Sequence, residues 1–445
     1  MSWCKVKIIP SFIQRRIVHR PTLARIISNI GWLFFDKILR LSSGLVVGVW
    51  LARYLGPDQF GDLNYVMAFV AMFIAIAELG LASIVVRELT INPRDSNVIL
   101  GSAALMQLIG ACVGIMLIFF VITVLRPPND SLRLLIVLYS LTLTFKATEV
   151  VRYWFESQVQ SRYVVWVENI VFVSITIVKA WLIYGQASLQ AFIWLSLVEA
   201  AMIAIALLSI YQLKTGELFG WRPQLKYVQH LIKQSWPLLL AGLSVTLYTR
   251  LDVIMLQEMA NTREVGLYAA ATKLSEVLYL IPVVIIASIS PVLIKLQKSD
   301  NNEFLFLLRR LYFILSWAAI SLSLVFSLFS DPLIHLIFGL DFVGAGPILA
   351  VHVWASLAVF LGVASSQYLL VNQLQKVALY RTLLGLICNA ILNFFTIPTM
   401  GALGAAMSTL IAYFLATYAL VFFSATRKHS LQLIIAPFLW PMRRA

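Results

Sequence analysis

Eight ionisable residues lie within four apolar stretches of this chain, where a membrane-spanning helix would place them in lipid. They are Asp36, Lys37 and Arg40 in the first stretch, Glu78 in the second, Arg250 and Asp252 in the seventh, and Lys273 and Glu276 in the eighth. A charge in hydrocarbon is costly, so it usually faces a water-filled cavity or a partner. Because the third stretch and the ninth to twelfth have almost no interior charge, the pattern predicts a polar cavity between two related halves, as in a transporter.

Helical spacing separates charges with a local partner from charges without one. Asp36 and Arg40 are four residues apart, so Asp36 is predicted to be the structural partner of Arg40. Glu78 and Asp252 have no opposite charge at helical spacing. Two interpretations stay open: paired charges that make a helix bundle stable, or cations that bind a substrate beside acids that bind H⁺ or Na⁺.

The composition is that of a polytopic membrane protein. Hydrophobic residues make up 61% of the 445 residues and charged residues 12%, whereas a soluble domain carries roughly 25% charge. A bilayer core about 30 Å thick needs roughly 20 apolar residues per helix, and lipid cannot satisfy exposed backbone groups, so the predicted fold class is all-α. Twelve spans are predicted, at 28–53, 64–86, 98–125, 132–152, 163–184, 189–212, 234–258, 264–294, 304–329, 342–371, 377–397 and 401–424.

The basic residues predict the orientation of these spans. Most of the 34 Lys and Arg residues lie in the N-terminal arm, in the loops after even-numbered spans and in the C-terminal tail. The opposite ends carry Arg53, Arg126, Arg133 and Arg263. The positive-inside rule then places both termini in the cytoplasm. The net charge of +14 therefore reflects topology and attraction to anionic headgroups, and nucleic acid is not a predicted partner.

The longest internal polar connection, 213–233, divides the spans into six and six. A weak repeat supports this division: Phe60-Gly61 after span one and Val265-Gly266 after span seven each follow a short outside turn and precede a new helix. Corresponding spans keep one orientation, which indicates a parallel repeat about an axis along the membrane normal. The predicted segments are a cytoplasmic basic arm (1–27), an N-terminal six-helix bundle (28–212), a cytoplasmic linker (213–233), a C-terminal six-helix bundle (234–424) and a cytoplasmic basic tail (425–445).

The sequence carries no motif for catalysis or metal binding. It has no His-rich cluster, Gly-rich phosphate loop or Ser nucleophile elbow, and the outside loops are short. Cys4, Cys112 and Cys388 lie far apart and form no redox motif. His352, inside a predicted span, is interpreted as a packed or hydrogen-bonded residue. The chain is predicted to be no enzyme, with no cofactor and no metal site.

The first outside turn resembles a known family. Its sequence ARYLGPDQFG (52–61) closely resembles the start of Wzx-type polysaccharide and O-antigen flippases. The segments ELGL (78–81), NAILN (389–393) and GALGAA (401–406) fit the same family, and the resemblance covers roughly residues 25–425. These flippases belong to the multidrug/oligosaccharidyl-lipid/polysaccharide (MOP) exporter superfamily. The resemblance implies two six-helix bundles around a central cavity that spans one, two, seven and eight help to line.

The resemblance also implies a substrate, an oligosaccharide on a polyprenyl diphosphate. It would move from the cytoplasmic to the outer leaflet of the bacterial inner membrane by alternating access, for O-antigen-like surface polysaccharide. The planar fork of Arg donors suits phosphate, and Lys supplies a point charge. Arg40, Arg250, Lys273 and Lys37 are therefore the predicted diphosphate contacts. Membrane lipids are further partners, and a polysaccharide polymerase and glycosyltransferases are compatible with the same role.

The acids Glu78, Asp252 and Glu276 are the predicted ion-coupling residues, with H⁺ or Na⁺ as the ion. Lys146 and Arg152 near the end of span four are candidates for a cytoplasmic entrance, although snorkelling to the interface is the favoured explanation. Two alternative functions stay open: an ion-coupled multidrug exporter of the same superfamily, and a membrane polysaccharide polymerase or ligase. The cation-rich spans argue against the first, and the short outside loops argue against the second.

Overall fold

The computed structural model describes residues 21–424 and 426–435, with side chains from Ser43 onward except at positions 298, 428, 429 and 432. The regular elements in this part of the chain are helices. The α-helices are α1 (Pro21–Ala71), α2 (Ile74–Glu78), α3 (Ala82–Ile91), α4 (Ser96–Leu125), α5 (Ser131–Ser140), α6 (Val150–Ser157), α7 (Arg162–Tyr184), α8 (Leu189–Thr215), α9 (Leu225–Met259), α10 (Thr262–Val277), α11 (Leu280–Ser299), α12 (Asn301–Leu328), α13 (Ser330–Phe338), α14 (Ala345–His352), α15 (Ala355–Val371), α16 (Gln375–Tyr418) and α17 (Arg427–Ile435). The 3₁₀ segments are Pro93–Asp95, Leu141–Glu149, Leu218–Gly220, Leu340–Phe342 and Ala419–Phe422.

Ten continuous helical stretches of the described chain are long and apolar enough to cross a membrane. Two of them, Ser43–Ile91 and Gln375–Phe422, are of double length. Their long helices are interrupted at Gly56 (φ 68°) and at Gly401 (φ 55°), where the backbone has a conformation that side-chain-bearing residues rarely adopt. Division at these two glycines gives the twelve predicted spans, so the predicted all-α polytopic fold class is confirmed.

The described chain forms two compact units. The first unit contains Ile76–Leu125 and Val137–Leu239 together with α1 up to Gly44. The second unit contains Leu45–Ala75, Arg126–Ile136 and the chain from Leu240 onward. The sequence-based boundaries of the arm, bundles, linker and tail stay predictions.

The first unit has an apolar core into which the connection between spans six and seven is docked. Phe155 and Leu81 are fully buried in this core. The backbone amide of Arg222 donates to the carbonyl of Asn97 (3.1 Å), and that of Gln224 donates to the Ser102 hydroxyl (3.1 Å). The predicted linker therefore packs against the start of α4.

A nine-residue 3₁₀ segment, Leu141–Glu149, interrupts span four of the first unit. Such runs rarely exceed three or four residues, and in mid-helix they often mark a hinge. The hydroxyls of Thr142, Thr144 and Thr148 each donate to the carbonyl three residues earlier, at 2.7, 2.7 and 2.8 Å. These local bonds compete with the α-helical ladder and favour the tighter helix.

In the second unit, the two turns of the predicted repeat pack directly against each other. A methyl group on Gly61 would lie 3.0 Å from the amide nitrogen of Gly266, and one on Gly266 would lie 2.8 Å from the carbonyl carbon of Pro57. Phe60 meets Phe342 edge to face at 6.1 Å. The absence of a side chain at both glycines therefore sets the closeness of these backbones.

A network of polar contacts in the second unit is centred on Glu258 and Arg126. Glu258 accepts from the Tyr65 hydroxyl (2.6 Å) and from Arg126 (2.7 Å), and Arg126 also pairs with Asp130 (3.1 Å). Burial disfavours the charged guanidinium, yet the Glu258 carboxylate raises the pKa of Arg126 above its usual range. The cation stays charged and links three segments of the chain.

Candidate functional site

A buried carboxylate, Asp252, lies at the centre of a polar network in the second unit. Its side chain is 4% exposed. Oδ2 accepts from the Tyr268 hydroxyl (2.7 Å) and lies 2.6 Å from the Thr409 hydroxyl, while Oδ1 accepts from the Asn393 amide (2.7 Å). Asn393 also donates to Asn389 (3.1 Å). These hydrogen-bond partners of the Asp252 carboxylate are therefore uncharged: two hydroxyls and an amide.

The network contains more hydrogen-bond acceptors than its donor protons can satisfy. The Thr409 hydroxyl lies 2.6 Å from Asp252 Oδ2 and 2.9 Å from the Ala405 carbonyl, but a hydroxyl has a single proton to donate. Oδ1 of Asn393 is buried without a hydrogen-bond partner among the described residues. A proton on the carboxylate, or a small cation held by these oxygens, would satisfy the arrangement.

Three helices place these side chains, and helical spacing explains how. Asn389 and Asn393 are one turn apart on α16, as are Ala405 and Thr409 beyond its break at Gly401. Asn393 bonds to Asp252 on α9, whereas the contacts of Asn389 are with Asn393 and Thr409 on α16 itself. Sequence reasoning missed Tyr268 and Thr409, since single tyrosines and threonines are common in the apolar spans.

The four predicted charges of spans seven and eight lie near one another. Arg250, Asp252 and Lys273 are all within electrostatic reach of Glu276. Arg250 and Glu276 are exposed, whereas Asp252 is buried. The structure thus places one acid inside the bundle and two cations and a second acid around it.

The ammonium of Lys273 occupies the space that a side chain at Gly48 would fill. A methyl group on Gly48 of α1 would clash with Nζ of Lys273 and would lie 2.6 Å from its Cε. The same nitrogen stands 5.4 Å from the ring centroid of Phe60. The aromatic face favours the charge, and the missing side chain admits it.

In the first unit, Glu78 belongs to a three-residue ion network. Lys146 lies 3.0 Å from Glu78 and 2.8 Å from Glu149. The backbone is irregular on both sides, because Lys146 and Glu149 lie in the 3₁₀ segment and Glu78 precedes two residues of positive φ, Leu79 (54°) and Gly80 (64°). Glu78 therefore does have a partner, from a different span.

The remaining predicted site residues have these positions. Arg152, in α6, pairs with Glu168, a carboxylate only 1% exposed. The backbones of Asp36, Lys37 and Arg40 belong to α1, but their side chains lie outside the described part of the chain. His352 is buried and hydrogen-bonded to Ser275 (2.7 Å), which confirms its prediction as a packed residue.

The family described as polysaccharide biosynthesis protein matches residues 26–297, more than half of the chain. The chain belongs to this family. A comparison with curated proteins gives no match. The predicted resemblance to the polysaccharide flippases of the MOP superfamily is thereby confirmed.

Solved structures share the fold of this polysaccharide biosynthesis family member. Lipid II flippase MurJ in an inward closed conformation aligns with a TM-score of 0.71 at 16% identity, covering 92% of this chain and 91% of that one. An inward-facing multidrug resistance MATE transporter of the MOP superfamily gives 0.68 at 14% identity, covering 91% and 99%. A MOP superfamily transporter from Pyrococcus furiosus gives 0.54 at 12% identity, covering 92% and 95%. At these identities the likeness shows the fold alone.

Proposed function

We propose that the chain is a flippase that moves a polyprenyl-diphosphate-linked oligosaccharide from the cytoplasmic to the outer leaflet, for O-antigen-like surface polysaccharide. Membership of the polysaccharide biosynthesis family supports a role with this class of glycan. The fold shared with a lipid II flippase supports movement of a lipid-linked substrate rather than covalent chemistry. The bacterial inner membrane, with both termini in the cytoplasm, is the matching location.

The observation that carries the proposal is the grouping of Arg250, Lys273 and Glu276 within membrane-spanning helices. A diphosphate cannot cross hydrocarbon unaided, so a carrier must replace its water with fixed cations and donors. Arg250 supplies an exposed planar fork and Lys273 a point charge beside Gly48 and Phe60. Lys37 and Arg40 complete the proposed diphosphate set from span one.

Asp252 is the proposed coupling acid. A buried carboxylate surrounded by neutral donors changes its hydrogen bonding when it takes up H⁺ or Na⁺, so ion binding can favour one state of an alternating-access cycle. Glu276, within electrostatic reach of Asp252 and the two cations, is proposed to couple ion and substrate binding. Glu78 is proposed to act in the first unit through Lys146.

The direct test is delivery of the glycan. A strain that lacks the protein should accumulate lipid-linked oligosaccharide on the cytoplasmic leaflet, and the full-length chain should restore delivery to the outer leaflet. Purified protein in proteoliposomes should move the same glycolipid. Normal surface polysaccharide in the deletion strain, together with inactive proteoliposomes, would refute the proposal. Polymerase and glycosyltransferases are proposed partners, which copurification from the same membranes would test.

A second candidate, an ion-coupled multidrug exporter, is favoured by the fold shared with a MATE transporter. The exposed guanidinium of Arg250 beside Lys273 disfavours cationic drugs by charge repulsion. Drug sensitivity of the deletion strain separates the two functions. Increased sensitivity to several cationic drugs, with glycan delivery intact, would select the exporter.

A further inference from the structure

Three tyrosines from three helical segments meet beside the Asp252 network. The rings of Tyr248 on α9 and Tyr413 on α16 have centroids 5.0 Å apart. Tyr279 lies at the break between α10 and α11 and is within electrostatic reach of both. Tyr248 precedes Asp252 by one turn and Tyr413 follows Thr409 by one turn, so the tyrosine pair lies about 5 Å along the bundle from the acid.

Two of the three hydroxyls have no hydrogen-bond partner among the described residues. These are the buried oxygens of Tyr248 and Tyr279. The same chain satisfies other buried phenols, since Tyr268 donates to Asp252 and Tyr65 donates to Glu258. Buried tyrosine hydroxyls usually find a partner. A buried hydroxyl without a partner is destabilising, so two in one cluster point to a ligand that supplies the partners.

The cluster also has open aromatic surface and charged neighbours. Its three rings are partly exposed. The exposed side chains of Arg250 and Glu276 lie within electrostatic reach of Tyr413. The Tyr248 hydroxyl stands 2.9 Å from where a side chain on Gly385 would begin, so the glycine allows the phenol to pack directly against α16. Aromatic faces, a guanidinium donor and a carboxylate acceptor are therefore combined in one place.

This combination fits a pyranose better than a phosphate or a lipid chain. A sugar ring has an apolar face that packs on an aromatic ring, and hydroxyls that both donate and accept. Phenols and a carboxylate accept from such hydroxyls, while Arg donates to them. A phosphate has no apolar face to pack on the rings, and an isoprenoid chain would leave the two phenols unpaired.

We propose that Tyr248, Tyr279 and Tyr413 form a glycan subsite, which binds the sugar nearest the diphosphate while Arg250 contacts the diphosphate itself. The inference rests on the proposed flippase function and locates its sugar recognition. It also places the sugar one helical turn from the coupling acid, so that glycan and ion binding affect the same two helices.

The test compares two probes on the full-length protein in nanodiscs. One is the lipid-linked oligosaccharide extracted from the strain that lacks the protein, and the other is polyprenyl diphosphate without sugar. The wild-type protein should bind the glycolipid more tightly. The double substitution Y248F/Y279F keeps both rings and removes both hydroxyls, and it should weaken glycolipid binding about tenfold while polyprenyl diphosphate binding stays unchanged. The control Y184F alters a tyrosine that is 89% exposed and should change neither.

The possible outcomes distinguish failure of the proposed glycan subsite from failure of the proposed flippase function. Equal wild-type affinity for the two probes would overturn the subsite without any variant, and so would a double variant that binds both probes as the wild type does or loses both equally. Retained binding of polyprenyl diphosphate shows that the variant is folded. If the wild type binds neither probe and moves no glycolipid, the flippase function itself fails.

Discussion

Gly61 and Gly266, equivalent positions in the two halves of the predicted repeat, pack against each other's turns. Each approaches the other so closely that a methyl group on either would contact the backbone of the opposite turn. A weak similarity in sequence thus corresponds to a direct contact in space. The two short turns that correspond in the predicted repeat therefore form a small interface with each other.

Substitution of either glycine by alanine should destabilise this contact. G61A and G266A each force a methyl group into backbone atoms that cannot move aside as a flexible side chain could. Overpacking of this kind costs about 1–3 kcal/mol. Thermal unfolding of the purified protein should show lower midpoints for both. G44A is the control, because no described atom lies within 4 Å of that site; equal midpoints for all three would contradict the packing argument.

Gly48 should matter to substrate binding through Lys273. G48A would displace the Lys273 ammonium from its present position and should weaken polyprenyl diphosphate binding, although less than K273M, which removes the charge. Because the two changes act on one interaction, the double variant should be no weaker than K273M alone. G44A, one turn earlier on α1, should bind as the wild type does. Additive losses in G48A/K273M would show that Gly48 acts independently of the lysine.

Neutralisation of Asp252 should uncouple flipping from the ion. D252N retains the size and polarity of the side chain but cannot change charge, so flipping should no longer respond to an imposed gradient. Proteoliposomes under separate H⁺ and Na⁺ gradients measure the response and identify the ion. D341N, at an exposed aspartate, is the control. A wild-type response to either gradient that survives in D252N would remove Asp252 from the coupling site.

The ion network around Lys146 should depend on charge balance. K146M leaves Glu78 and Glu149 without their shared cation and should lower stability by less than the about 3–5 kcal/mol that breaking a fully buried ion pair costs, because these side chains are 23–36% exposed. E78Q, which leaves the Lys146–Glu149 pair intact, should cost less. The exchange E78K/K146E should recover part of the loss in thermal stability. An exchange variant no better than K146M would show that geometry in the 3₁₀ segment outweighs charge.

The sequence was sufficient for the fold class and for part of the candidate site. Apolar lengths predicted twelve spans, and the Gly56-Pro57 turn marked a real interruption of the helix. The charges of spans seven and eight could be predicted to gather because they are close in sequence. The partners of Asp252 could not, since Asn393 and Thr409 are 141 and 157 residues away and their types are ordinary for membrane helices.

The same limit explains Glu78 and the tyrosine cluster. No helical spacing relates Glu78 to Lys146, because the pair forms between two spans whose backbones depart from α-helical geometry at that level. Tyr248, Tyr279 and Tyr413 come from three segments, and their relation depends on packing. Contacts between common residue types that are far apart in the sequence produce no local sequence pattern from which they could be predicted.

The contact between Gly61 and Gly266 also constrains biosynthesis. About 200 residues separate the two glycines, so at about 5–20 residues per second the first turn waits about 10–40 s for its partner. During that interval six further spans, two to seven, are synthesised, and the turn after span one lacks the surface on which it finally packs. The second unit is therefore completed late in translation, after its earliest segment has already been inserted.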